Sequence, residues 1–135
     1  MNQDTLKQEA INIIDQNHVG VLSTMQENKP YARYMMFFHD EQQLYSVTNK
    51  ETHKVEEIKN NPNVNVLLGY DENKTQYIEL QGRATIVDDK ELKKKYWDEQ
   101  LVPWLNGPDD PEYCLLQITP EHVELVQGNH EKTIM

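Results

Sequence analysis

Residues 75–87 read Thr-Gln-Tyr-Ile-Glu-Leu-Gln-Gly-Arg-Ala-Thr-Ile-Val, setting Ile78, Leu80, Gly82, Ala84 and Ile86 in strict alternation with Tyr77, Glu79, Gln81, Arg83 and Thr85. A period of two is the pattern of a strand with one face in a core and the other toward solvent. Shorter stretches of the same kind lie on either side. Val-Gly-Val-Leu-Ser-Thr-Met at 19–25 and Tyr-Ala-Arg-Tyr-Met-Met-Phe-Phe at 31–38 flank Glu27-Asn28-Lys29-Pro30, so they predict a hairpin. A second turn, His39-Asp40-Glu41-Gln42, leads into a strand at 43–48, and Asp71-Glu72-Asn73-Lys74 separates a strand at 64–70 from the one at 75–87. One or two more strands are expected in 113–126.

Helical spacing is confined to three places. Leu6, Ala10, Ile13 and Ile14 mark an amphipathic helix over 3–16, Val55 and Ile58 a short helix from Glu51 that Asn60-Asn61-Pro62 ends, and the charged run 88–102 a third. Six or so antiparallel strands with three short helices predict a mainly β fold, a small barrel closed on itself so that no strand edge is left open. An open α+β sandwich is the alternative. No repeat, linker or low-complexity tract divides the chain, so residues 1–135 are read as one domain.

Of the 135 residues only 37% are apolar, a thin supply for a core. Thirteen Lys and Arg against 23 Asp and Glu give a net charge of −10, which argues against a nucleic-acid partner. No apolar run is long enough to cross a bilayer and the start lacks signal-peptide character, so a cytoplasmic protein away from membranes is expected. Cys114, the sole cysteine, is read as a buried small hydrophobe. The histidines have no spacing that suggests a metal site, and no nucleophile elbow, P-loop or glycine-rich dinucleotide fingerprint is present.

In such an acidic chain the segment Thr48-Asn49-Lys50-Glu51-Thr52-His53-Lys54 stands out. Lys50, His53 and Lys54 fall at the start of a helix, where the macrodipole is positive and a cation is disfavoured. A bound phosphate would compensate, held by free helix amides, the Thr48 and Thr52 hydroxyls and the Lys54 ammonium. The plainer reading is a Thr48–Glu51 capping box, with Glu51, Glu56 and Glu57 balancing solvated cations. In 33–38, alternation puts Arg33, Met35 and Phe37 on one face and Tyr34, Met36 and Phe38 on the other. Arg33 is therefore either paired with a carboxylate or aimed at a ligand phosphate. Trp97 and Trp104 are either core packing or the wall of a flat ligand's site.

Together these residues resemble the pyridoxamine 5′-phosphate oxidase-like FMN-binding split-barrel superfamily, in its branch of small bacterial general stress proteins. The resemblance runs from about residue 6 to residue 126. It is carried by the order of the N-terminal helix, Val-Gly-Val-Leu-Ser-Thr-Met, the Arg33-led apolar strand, Val47-Thr48-Asn49, Thr52-His53-Lys54 and the late region Gly107-Pro108-Asp109-Asp110-Pro111 after Trp104. It implies a homodimer of antiparallel split barrels with two FMN sites at the interface, which would relieve the thin core. Arg33, Thr52 and Lys54 then correspond to ligands of the FMN phosphate, and Tyr34, Met35 and Met36 to positions along the isoalloxazine. Thr48 and Asn49 correspond to the strand end beside the phosphate and ribityl chain, and Gln81 to a polar group facing the flavin. Trp104, and less directly Trp97, would come from the partner. His53 stands where the oxidase pattern has an arginine, so phosphate affinity is expected to fall as pH rises. Phe38 replaces a lysine of that pattern and the C-terminal substrate motif is missing, so pyridoxamine phosphate is not the expected substrate. The implied activity is that of an FMN-dependent oxidoreductase, a flavin reductase or oxidase taking electrons from NADH, NADPH or a small organic donor. The alternatives are a flavin- or haem-holding sensor or store, and an interaction protein whose barrel has lost its cofactor.

Overall fold

The alternating stretch forms a strand, β5 (Gln76–Val87), in which Ile78, Leu80 and Ala84 are buried while Gln81, Arg83 and Thr85 face solvent. It belongs to a computed structural model that describes residues 3–40, 43–73, 75–101 and 105–134, apart from the side chains of Gln3 and Gln100. The chain runs α1 (Gln3–Gln16), β1 (Val19–Gln26), β2 (Lys29–Asp40), β3 (Gln43–Asn49), α2 (His53–Asn60), β4 (Asn63–Asp71), β5, α3 (Lys90–Lys95), a 3-10 turn (Glu99–Leu101), β6 (Tyr113–Gln127) and β7 (His130–Thr133). Glu41, Gln42 and Lys74, assigned above to two of the turns, lie outside the described residues.

All pairings are antiparallel, in the order β3-β2-β1-β4-β5-β6-β7, and β3 also pairs with β6. That last pairing closes six strands into a barrel and decides against the open sandwich. The β1–β2 hairpin turns through Glu27 and Asn28, both at positive φ (51° and 64°), the two-residue turn whose twist matches the strands. Gly69, at φ 73°, interrupts the β4–β5 register and lets Ile13 of α1 approach so closely that a Cβ there would overlap its side chain.

Two long strands change partners along their length. β2 pairs with β1 from Lys29 to Met36 and with β3 from Phe37 to Asp40. The far edge of β6 pairs with β3 over Tyr113–Ile118 and with β7 over Glu124–Gln127. The hand-over in β2 is pinned by the Ser46 hydroxyl donating to the Met36 carbonyl (2.6 Å) and by the Phe37 amide donating to the His18 carbonyl (2.6 Å). A gap opens there between the start of β1 and the end of β3.

The core has two parts. The larger fills the barrel with Leu22, Phe37, Val66, Ile78, Leu116 and Leu125, and is covered at one side by Leu6, Ala10, Ile13 and Ile14 of α1. The smaller packs α3 and the following turn on β3 and β6 through Tyr45, Tyr96, Leu105, Tyr113 and Leu115. Three expectations are corrected. The helix over 88–102 stops after Lys95, where Tyr96 turns into the second core and a separate 3-10 turn follows. The strand at 113–126 reaches Gln127, and β7 lies beyond it. The helix beginning at Glu51 starts at His53, with Thr52 as its N-cap. Cys114 is fully buried, as expected of a small hydrophobe, and burial pushes its thiol up to about 11.

Candidate functional site

Where β2 changes partners, a cleft of about 430 Å³ opens. Its walls are Val19 of β1, Arg33, Tyr34, Met35, Met36 and Phe38 of β2, Val47, Thr48 and Asn49 of β3, Thr52 and Lys54 at the start of α2, and Asp98, Leu101 and Leu105 after α3. Arg33, Thr52 and Lys54 also border a second pocket with Gln26, Tyr31, His53 and Glu57, which places them at that end of the cleft.

The Thr48–Glu51 capping box does not form. Thr48 is still in β3, paired with Cys114, so its hydroxyl cannot reach the amides of α2. The 49–52 turn is instead built on Asn49, whose Oδ1 accepts from the Glu51 amide (2.8 Å) and whose carbonyl accepts from the Thr52 hydroxyl (3.0 Å). α2 therefore begins with no side chain capping its first turn. The Thr48 Oγ1 is buried without a hydrogen-bond partner among the described residues, a costly state for a polar atom unless a ligand meets it.

The cations divide. Lys50 turns away to Asp88 (2.6 Å). His53 is exposed and borders the second pocket, not the cleft. Arg33 lies on the inner face with Met35 and Phe37 as alternation predicts, and it is paired with a carboxylate. Its Nη2 meets the buried Glu57 carboxylate (2.9 Å), its Nη1 donates to the Thr24 hydroxyl (2.7 Å), and the side chain still borders the cleft. Lys54 is half-buried and has no ion pair or hydrogen bond among the described residues. Burial first, then the Arg33 guanidinium, hold its ammonium below the usual 10.5. Two cations beside an uncapped helix start are the chemistry an anion would need; the apolar walls beyond, from Met35, Met36, Phe38, Val47, Leu101 and Leu105, suit a flat hydrophobic group.

Of the residues singled out from the sequence, Arg33, Tyr34, Met35, Met36, Thr48, Asn49, Thr52 and Lys54 come together in the cleft. Gln81 does not: it is exposed on β5 between Asn65 and His122. Trp97 packs in the second core, its ring 5.8 Å from that of Tyr113. Trp104 lies outside the described residues. Sequence reasoning passed over Val19, Asp98, Leu101 and Leu105, which carry no local signal, and the Thr24–Arg33–Glu57 contact, whose members come from three separate elements.

General stress protein 26 of Bacillus subtilis is 47% identical to this chain over 135 residues, 98% of this chain and 96% of that protein. The crystal structure of General Stress Protein 26 from Bacillus anthracis superposes with a TM-score of 0.86 at 42% identity, covering 90% of this chain and 93% of that one. A pyridoxamine 5′-phosphate oxidase-related, FMN-binding protein from Nostoc punctiforme shares the fold at 17% identity, with a TM-score of 0.75 over 97% of this chain and 87% of that one. Residues 6–127 match the family of pyridoxamine 5′-phosphate oxidase, so that all but the ends of this chain belongs to that family.

Proposed function

We propose that the chain is an FMN-binding oxidoreductase that works as a homodimer. The observation that carries this is the pairing of Lys54 and Arg33 beside the uncapped start of α2, at the end of an apolar cleft. The residues fit the cofactor. Arg33, Lys54 and the Thr52 hydroxyl would hold the phosphate, and the orphaned Thr48 Oγ1 would gain a partner from the ribityl–phosphate portion. Met35, Met36, Phe38 and Val47 would pack on the ring and keep water from it. A cleft of about 430 Å³ falls in the range of pockets that enclose such ligands.

When bound, FMN supplies hydride acceptance and onward electron transfer, with NADH or NADPH as the proposed donor. The chain's own part is binding, orientation and exclusion of water. Among the described residues that line the cleft, Asp98, Tyr34 and Lys54 are the titratable side chains apart from Arg33, and no histidine, cysteine or glutamate joins them, so proton transfer would fall to few groups. That favours a second reading, a holder of flavin without turnover.

The dimer is supported by an apolar patch on the barrel's outer face. Val21 of β1 stands between Tyr34 of β2 and Leu67 of β4, which are 80% and 37% exposed, and Val19 nearby is 51% exposed. Val19 and Tyr34 also line the cleft, so a second copy seated on this patch would wall it in.

The test is paired titration of FMN and riboflavin, which differ only by the phosphate. Lys54→Ala should weaken FMN by about 1.5–3 kcal/mol, the worth of hydrogen bonds to charged groups, and leave riboflavin unchanged. Equal losses for both ligands would refute the phosphate assignment. Anaerobic mixing of the loaded protein with NADH or NADPH separates the two readings: rapid bleaching of the flavin marks a reductase, and a spectrum that stays oxidised marks a holder.

A further inference from the structure

We infer that Glu57, acting with Thr24, is a positioning residue that sets the Arg33 guanidinium for a phosphate before any ligand arrives. This rests on the phosphate-binding reading above. Glu57 sits one helical turn after Lys54 and is 5% exposed; Thr24 is 1% exposed. The three side chains form a closed ring. Glu57 Oε2 accepts from Arg33 Nη2 (2.9 Å) and from the Thr24 hydroxyl (2.5 Å), while the Thr24 oxygen accepts from Arg33 Nη1 (2.7 Å).

A site built for charge alone would not bury a carboxylate one turn from its lysine, because that carboxylate repels the anion. Its presence is explained if geometry matters more. The guanidinium has five donors in a rigid fork; Nη2 donates to Glu57, and Nη1 to Thr24 and, at 3.5 Å, to the Leu22 carbonyl, which leaves the Nε hydrogen and the second Nη2 hydrogen for the cleft. Arginine's rotamer freedom is then surrendered on folding and not on binding, so more of each phosphate contact appears as affinity. The cancelled Arg33–Glu57 pair leaves Lys54 to supply the net charge, and Arg33 to supply direction.

The experiment measures the FMN-to-riboflavin affinity ratio for the wild-type protein and for Glu57→Ala, Thr24→Val and Glu57→Gln, with a thermal melt of each. Glu57→Ala and Thr24→Val should lower the ratio by about tenfold with riboflavin affinity unmoved, since each removes two of the ring's three hydrogen bonds, all of which involve a charged group. Glu57→Gln should restore the wild-type ratio or exceed it, because the amide oxygen still accepts from Arg33 and Thr24 while the repelling charge is gone. The inference is overturned if the first two variants leave the ratio unchanged, if Glu57→Ala raises it as Glu57→Gln does, or if Glu57→Gln is no better than Glu57→Ala. Should Glu57→Ala not fold, the near-isosteric Thr24→Val decides. A wild-type ratio near one would instead sink the phosphate reading itself.

Discussion

Burial and the neighbouring Arg33 hold the Lys54 ammonium below its ordinary pKa of 10.5, which means the fold disfavours the charge it carries at neutral pH. In the window between the folded pKa and 10.5 the unfolded chain binds more protons than the folded one, so stability rises with pH there as folded Lys54 gives up its proton. Below that window both states are protonated and the whole cost is present. Lys54→Met should therefore stabilise the ligand-free protein at pH 7 by about 0.5–1 kcal/mol, the scale of other gains won by removing a functional liability. The same change should weaken FMN. Melts at pH 7 and under alkaline conditions check the sign: the advantage of the variant should shrink as pH rises, and a variant less stable than wild type at pH 7 would show that Lys54 has a partner in the fold. The local reading of this segment went wrong at Thr48 for a comparable reason. Thr-x-x-Glu is a fair cap signal in isolation, but the β3–β6 pairing carries Thr48 into the ladder opposite Cys114, and the N-cap position falls four residues later at Thr52, whose side chain makes no capping bond.

At the scale of elements, α3 shows what charge patterning cannot reveal. Lys93, Lys94 and Lys95 belong to the charged run, and Lys94 and Lys95 are exposed; Lys93 instead points inward at 7% exposure, paired with Asp88 and lying over the Tyr113 ring. The Tyr113 hydroxyl donates to the Lys93 carbonyl (2.7 Å), and Tyr96 stacks between Phe38 and Tyr45 at centroid distances of 5.1 and 5.3 Å. These contacts, and the Asp89 cap at its start, hold the six-residue helix where propensity alone would not. Asp88 ties it to the turn after β3 as well, by accepting from both Lys50 and Lys93. Those two hydrogen bonds hold the Asp88 carboxyl below its usual 3.8. A carboxylate with a lowered folded pKa contributes stability that is complete above its unfolded value and fades as pH falls through the folded one. Asp88→Asn should cost about 1–2 kcal/mol at pH 7, an amount between those of exposed and buried pairs, because Lys93 loses its charge partner while Asp88 itself is half-exposed. Urea unfolding at pH 7 and again well below pH 3.8 should show the deficit at the first and little of it at the second. A deficit that persists in acid would mean that packing of α3, and not the ion pairs, depends on Asp88.

For the molecule as a whole, six of the seven strands and two of the three helices were legible because each is announced locally, by period two or by helical spacing over its own residues, whereas β7 at His130–Thr133 was not. Closure was legible only as a preference. It depends on β3 meeting β6, with Leu44 opposite Ile118, a contact between segments far apart in sequence that no local pattern specifies. The same limit applies to the cleft: Arg33 and Lys54 could be picked out, but the wall from Leu101 comes from a turn that the sequence reads as helix, and Leu105 lies beyond it. The outward apolar set on β1, β2 and β4 makes the proposed dimer testable without touching the cleft. Val21 is central to that patch and is not among the residues lining the cleft, so Val21→Lys places a charge where two copies would meet and leaves one chain's barrel interior unaltered. Sedimentation should give a mass near 15.9 kDa for the variant and twice that for the wild type. FMN affinity should fall by about tenfold or more in parallel, because the cleft would lose the wall that the partner supplies. If the variant is monomeric and binds FMN as tightly as before, the cleft of a single chain is complete, and the thin core must be explained by the two packed clusters of one subunit alone.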